Sequence, residues 1–225
     1  MRLYYYTGPK FALENLKKRS LKISFADEVN DIFELKPFDF GKNGGPLRRE
    51  WQKSIHKYAR AQGFVSFSSD WKSPAMWGHY AEYHKGVCYG FDVNPKKSDA
   101  LVEIQYVTDL RLFRNLKLDD ERVHEEELEY AQKTKSDIWA YEKEWRVYVS
   151  LSKEEIYSKS IGQSLFFVPF GPDLTLKEVI IGANSIISSN KVKDALQDCE
   201  VEIKTARASF RKYAVVEQML PSKQA

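Results

Sequence analysis

Polar and apolar positions alternate with a period of two in several short runs of the chain, and such runs make strands with one buried face. Arg2-Leu-Tyr-Tyr-Tyr-Thr7 is the first, rich in strand formers and stopped by the turn signal Gly8-Pro9. Leu21, Ile23 and Phe25 point to the core from a second, and Phe64 to Ser68 makes a third. Val87, Tyr89 and Phe91 share one side of a strand ending at Asp92, which leaves Gly90 opposite, where a ligand or a second backbone can come close. Trp145, Val147, Val149 and Leu151 alternate with Glu144, Arg146, Tyr148 and Ser150, a strand with one apolar and one polar face. Residues 102–107, 165–170, 178–182 and 201–207 complete the predicted strands.

Helical spacing appears between them. Phe11 to Arg19 is a short helix, and Leu47, Trp51, Ile55 and Tyr58 or Ala59 recur on one face of a longer one that Gly63 ends. Residues 119–135 form a charged, exposed helix with a weak apolar seam at Val123, Leu128 and Ala131, and residues 189–198 form a last helix. Ser73-Pro74 opens another, because a side-chain acceptor and a ring without N–H suit the free donors there, and Gly86 is its matching stop. Asn30-Asp31 reads as a turn or helix start, 41–46 as a flexible loop and 94–97 as a turn. The expectation is one α+β domain over 1–225, with a mostly antiparallel sheet flanked by helices.

Composition adds that the chain carries more aromatic residues than packing needs. Of the 225 residues 43% are hydrophobic, 30% charged and 14% aromatic, so the chain is an ordinary globular one with rings left over to line a pocket. Cys88 and Cys199 are the only cysteines, which suggests neither a disulfide framework nor a cysteine zinc site. The start of the chain lacks the apolar run of a signal peptide, and no window approaches the ~20 apolar residues of a membrane span. A reducing cytoplasm and no membrane partner are expected. The net charge of +3 is small but uneven: residues 119–129 hold seven acids against one Arg, and 47–60 hold five bases against one Glu. Lys204, Arg207, Arg211 and Lys212 make a second basic group. Each group reads as a solvated face, and the two basic ones alternatively as a footprint for RNA or DNA.

Candidate chemistry concentrates in two places. From Ser66 to Asp92 the chain packs Met76, Trp71, Trp77, Tyr80, His79 and other rings into 27 residues, with Met76, His79 or Tyr80, and Tyr83 on one helix face. The second is Glu142, Glu144 and Arg146, which would share one face of a strand. Glu-x-Glu-x-Arg aimed at a cleft can set a carboxylate against a sugar hydroxyl or a developing cation, while the Arg holds a carboxylate or phosphate. The competing reading is an exposed strand face with cross-strand ion pairs. His79 and His84, five apart, do not share a face as a zinc pair would, so no metal is expected. His79 reads as a base or a stacking partner, or equally as a satisfied half-buried His. Ser66 and Ser68 sit on a strand without a nucleophile elbow, and no glycine-rich phosphate loop occurs.

Asn30-Asp31-x-Phe-Glu34, the run Met76-Trp-Gly-His-Tyr80 to Phe91, and Tyr141-Glu-Lys-Glu-Trp-Arg146 together resemble a bacterial family known as domain of unknown function 2971. The resemblance runs over about 2–185, with Ile32 standing where the family has Pro, and leaves 186–225 as a C-terminal helix and strand extension. More remotely, a Tyr/Thr first strand followed by a helix, a Ser-x-Ser strand and a later Glu-x-Glu strand resemble the ADP-ribosyltransferase fold. That resemblance implies a split sheet that holds NAD with its nicotinamide between aromatic residues. It also implies a strand Glu that bonds the ribose 2′-hydroxyl and stabilises an oxocarbenium-like transition state. Thr7 or Tyr5 stands at the first-strand position, without the His or Arg usual there, Ser66 or Ser68 at the second, and Glu144 at the third.

The expected function is therefore an NAD-using ADP-ribosyltransferase-like enzyme, a toxin or phage-defence effector, with a protein or nucleic acid as acceptor. Glu144, Glu142 and His79 are the candidate catalytic residues. Tyr5, Thr7, Asn30, Asp31, Ser66, Ser68, Met76, Trp77, Tyr80 and Arg146 are the candidate binding residues. The alternative is a non-catalytic sensor of nucleotides or nucleic acid. A third reading is a metal-free nuclease built on Glu142, Lys143, Glu144 and His79.

Overall fold

The computed structural model describes residues 1–94, 100–113, 121–152, 156, 165–197 and 199–220. The expected turn over 95–97, the helix start at 119–120, the side chain of Val123 and Asp198 at the end of the last helix lie outside the described residues. The fold is α+β, with a large, mostly antiparallel sheet and helices on its faces.

Among the described residues, eight strands make that sheet. β1 (Arg2–Thr7) lies between β4 (Gln62–Ser68) and β5 (Val87–Val93), antiparallel to both, with Tyr4 opposite Ser68 and Gly90. Outward from β4 come β10 (Glu144–Ser150) and the edge strand β6 (Leu101–Glu103). Outward from β5 come β12 (Leu174–Ile181), β13 (Glu202–Ala208) and β14 (Val215–Glu217). Among the described residues the β12/β13 pair alone in this sheet is parallel, and a helix between them in sequence, α5 (Ser189–Leu196), makes the crossover such a pair requires. Three two-strand ribbons stand beside the sheet. They join β2 (Ser20–Lys22) to β11 (Phe167–Pro169), β3 (Phe38–Asp39) to β8 (Arg111–Leu112), and β7 (Gln105–Val107) to β9 (Thr134–Ser136).

The period-two pattern sets the two faces. Leu3, Tyr5, Val65, Phe67, Val87, Tyr89 and Phe91 point to one, where α1 (Pro9–Lys18) covers them with Ala12 and Leu16 and α5 with Val192, Ala195 and Leu196. On the opposite face Tyr6, Cys88 and Ile180 pack against Met76 and Trp77 of α3 (Pro74–Tyr80). A third cluster gathers round α2 (Gly45–Ala61), whose Trp51, Ile55 and Ala59 are buried as their spacing predicts. Ala131 of α4 (Glu121–Lys133) joins it, and Glu127 is buried too, so that helix is seated rather than fully exposed.

Three local expectations change. Residues 102–107 form two strands in different sheets, because buried Ile104 turns the chain between them. The helix opened by Ser73, whose Oγ accepts from Met76 N at 3.4 Å, ends at Tyr80 instead of Gly86. Glu82, Tyr83 and His84 follow in left-handed conformation, at φ 48°, 57° and 67°. Such residues cost roughly 1–2 kcal/mol each. The turn is held because His84 N donates to Trp77 O, and His84 O and Tyr83 O accept from Asn184. Gly90 admits no ligand: a Cβ there would meet Cγ of the buried Glu178 at 2.4 Å, so the glycine makes room for that side chain.

Candidate functional site

The polar face of β10 explains where the chemistry gathers. Register sets Glu144 opposite Ser68 and Arg146 opposite Ser66, on the face that Tyr4 and Tyr6 of β1 also share. Trp145 and Val147 anchor the other side of the strand in the main core. The result is a cavity of about 350 Å³ between the sheet, α3 and the loop from Ser24 to Asn30.

Glu142 reaches this cleft by a route the alternation did not predict. It ends a 3-10 turn (Asp137–Glu142), and Lys143, left-handed at φ 46°, caps that turn before the strand begins at Glu144. The two carboxylates nevertheless converge on Lys135, whose Nζ donates to Glu142 Oε2 at 2.5 Å and to Glu144 Oε2 at 3.4 Å. Tyr80 donates its hydroxyl to Glu142 Oε1 and accepts from Asn30 Nδ2 at 3.2 Å. Glu144 Oε1 accepts from Ser66 Oγ and from Arg146 Nε, both at 2.7 Å, and Glu144 N donates to the Tyr106 hydroxyl. Arg146 completes the network by donating to Glu34 at 2.6 and 2.9 Å. Lys135 also lies 4.6 Å over the Trp139 ring, and Arg146 4.4 Å over Phe64.

Three carboxylates, Glu34, Glu142 and Glu144, thus face two cations, Lys135 and Arg146, all of them buried. Burial alone would push every acid up and every base down. For Glu144 that push is outweighed by Arg146 and Lys135 and by the bonds from Arg146 and Ser66, so its carboxyl is lowered to about 2. Glu142 keeps the upward push of burial, reinforced by the charge of Glu144 and only partly offset by Lys135 and Tyr80. Lys135 is raised, since the two glutamates overcome its desolvation. Replacing a buried ion network by apolar packing is often neutral or stabilising, so this one is weak evidence for stability and better evidence for a site.

The structure brings together Asn30, Ser66, Ser68, Met76, Tyr80, Glu142, Glu144 and Arg146 around the cleft, while Tyr5 borders it along β1 with its ring packed on Tyr89 on the other face of the sheet. Four predicted residues stand elsewhere. Trp77 is fully buried and donates its indole N–H to Trp71 O, because it is a core residue of α3. His79 is exposed and stacks on Tyr141, on the outer side of the helix. Thr7 is buried at the end of β1, opposite Val87. Asp31 turns its carboxylate to its own loop, accepting from Phe33 N at 2.8 Å. Sequence reasoning missed Lys135, Glu28, Tyr4 and Tyr6 as wall residues and Glu34 as a partner. The two tyrosines were findable, since Tyr4 and Tyr6 alternate with Tyr5.

Among the described residues no group of three His, Cys, Asp or Glu side chains is placed to hold a metal, and no helix is long and apolar enough to cross a membrane. The profile of the family described as "Protein of unknown function (DUF2971)" matches residues 76–147, a segment that begins at Met76 and takes in Tyr80, Lys135, Glu142, Glu144 and Arg146. Over this segment the chain matches DUF2971. Asn30 and Glu34, which complete the network from the other side of the cleft, lie outside the DUF2971 match. No curated protein and no solved structure matches the chain.

Proposed function

We propose that the cleft binds the nicotinamide riboside end of NAD and that the protein breaks its N-glycosidic bond, as ADP-ribosyltransferase-like enzymes do. The observation that carries this reading is the pair Glu142 and Glu144, neighbours through Lys135 whose surroundings drive their acidities in opposite directions. Opposed acidities in one cleft are the pattern of carboxylates with divided roles. A volume of about 350 Å³ walled by Tyr4, Tyr6, Tyr80 and Met76 suits a nucleoside-sized ligand with a flat ring.

The roles differ from those the sequence alone assigned. Glu144 is saturated by Ser66, Arg146 and Lys135, so its charge is fixed and its part is to hold Lys135 and Arg146 in place. Glu142 has one partner on each oxygen, Tyr80 and Lys135, and it faces the ligand. As the C1′–N bond breaks, its electron pair leaves with nicotinamide and positive charge builds on the ribose, which a nearby carboxylate stabilises. The attacking hydroxyl, of water or an acceptor, then forms the new C1′–O bond and gives its proton to Glu142, a carboxylate made more basic by burial.

Released nicotinamide is the measurement. Incubation with NAD should yield it, and Glu142→Gln should lower turnover by ~100-fold or more while NAD still binds. Expression in bacteria should arrest growth with the parent chain and not with that variant, which tests the toxin or phage-defence role included in the proposal. NAD binding without nicotinamide release supports the non-catalytic sensor instead, and absence of binding ends the reading.

A further inference from the structure

Away from the cleft, the turn between β13 and β14 displays two large rings to solvent. Phe210 is 91% and Tyr213 104% exposed, in the run Ser209-Phe-Arg-Lys-Tyr-Ala214. The turn is ordered by its own bonds, Ser209 N to Ala214 O at 2.9 Å, Ala214 N to Lys212 O at 2.8 Å and Arg211 N to Ser209 Oγ at 3.2 Å. Arg207 lies 4.7 Å over the Phe210 ring, and Arg211 and Lys212 separate the two aromatics. No acid occurs between Glu202 and Glu217. Rings of this size so fully exposed serve neither the core nor solubility.

We propose that this hairpin is a docking site for single-stranded nucleic acid. Bases present a flat face to stack on Phe210 and Tyr213, and the phosphates between them meet Arg207, Arg211 and Lys212. Two rings flank two cations along the turn, as bases flank phosphates along a strand. A duplex hides its base faces and offers the rings nothing, so the preference is for single strands. The base of the hairpin is bonded to the segment that leads from β4 into α3. Val215 N donates to Lys72 O, and two residues earlier Asp70 O accepts from the hydroxyl of Tyr6, which walls the cavity. The docking claim does not depend on the chemistry proposed for that cleft.

The test is fluorescence anisotropy of the full chain with a labelled oligothymidylate of about 15 nucleotides, against a duplex of the same length. The single strand should bind more tightly than the duplex, with affinity falling as salt rises. Phe210→Ala with Tyr213→Ala should weaken it by about tenfold or more at unchanged melting temperature. Arg211→Glu with Lys212→Glu should lower the slope of log affinity against log salt by about 1.4 or more. Nicotinamide release from free NAD should be untouched in both variants, which separates failure here from failure of the cleft proposal. No binding at low salt, or equal binding by the double alanine variant, overturns the assignment. So does a protein that ignores the oligonucleotide but sediments with phosphatidylserine vesicles through the same two rings.

Discussion

Arg146 grips Glu34 through two parallel bonds, Nη1 to Oε1 at 2.6 Å and Nη2 to Oε2 at 2.9 Å, across 112 positions of sequence. The planar fork of a guanidinium fits a carboxylate in this way, and a lysine does not. The same side chain turns its Nε to Glu144, so one cation ties the loop carrying Asn30 and Glu34 to β10. Arg146→Met would strip buried Glu34 of this cation and leave Glu144 with Lys135 and Ser66 alone. A loss of about 3–5 kcal/mol in urea unfolding is expected, with Glu34→Gln added to it recovering part of the loss. A cost below about 1 kcal/mol would show the pair to be incidental.

Glu144 keeps its charge well into acid. Its folded value of about 2 lies below the ordinary 4.5, so the stability it contributes is present above about pH 4.5 and is lost as pH falls toward 2. The full contribution is on the order of 3 kcal/mol. Glu142 works in the opposite sense: raised on folding, it favours the native state below its unfolded value and loses that contribution as pH rises through the folded one. Stability measured from pH 6 down to pH 2 should therefore decline steeply for the parent chain and flatten in Glu144→Gln. A parallel decline in both would remove Glu144 as the cause.

Tyr80→Phe keeps the ring but deletes the hydroxyl that donates to Glu142. That bond favours the ionised carboxylate, so without it Glu142 should become less acidic still. If Glu142 acts as a base, the rising limb of the pH profile for nicotinamide release should move to higher pH in the variant. An unmoved limb would assign the proton transfer to another group.

Two glycines near α3 should respond to alanine with opposite sign. At Gly86 a Cβ would lie 1.9 Å from the backbone oxygen of Thr7, which cannot move without displacing β1. At Gly78, inside the helix, it would meet nothing within 4 Å. Gly78→Ala should raise stability by about 0.5–1 kcal/mol through helix propensity. Gly86→Ala should lower it by more than about 3 kcal/mol or prevent folding. Thermal unfolding of the two variants decides both.

The strands were legible because a buried face on a sheet writes itself as alternation, and Val87, Tyr89 and Phe91 all lie where that pattern puts them. Half of the cleft was legible for the same reason: Ser66, Ser68, Glu144 and Arg146 needed only their parity to be set on one face. The turn that delivers Glu142 was not, since a left-handed Lys143 carries no mark in composition. The end of α3 at Tyr80 was hidden likewise, because three left-handed residues stand where a helix and its glycine stop were expected. Lys135 reads as the tail of a solvated, charged helix. It is buried because two glutamates from a later segment close over it, a fact that only topology supplies.

The position of β1 bears on how the chain is made. The strand formed by residues 2–7 ends up inside the sheet, yet its partners are residues 62–68 and 87–93. During synthesis it leaves the ribosome long before either, a tyrosine-rich ribbon with both edges open. Nothing can seal it until the loop, α2 and α3 have followed, so the centre of the sheet closes late and through distant contacts. Nascent chains halted before residue 87 should remain protease-sensitive and prone to stick to one another, and those extended past residue 93 should gain the first protected core.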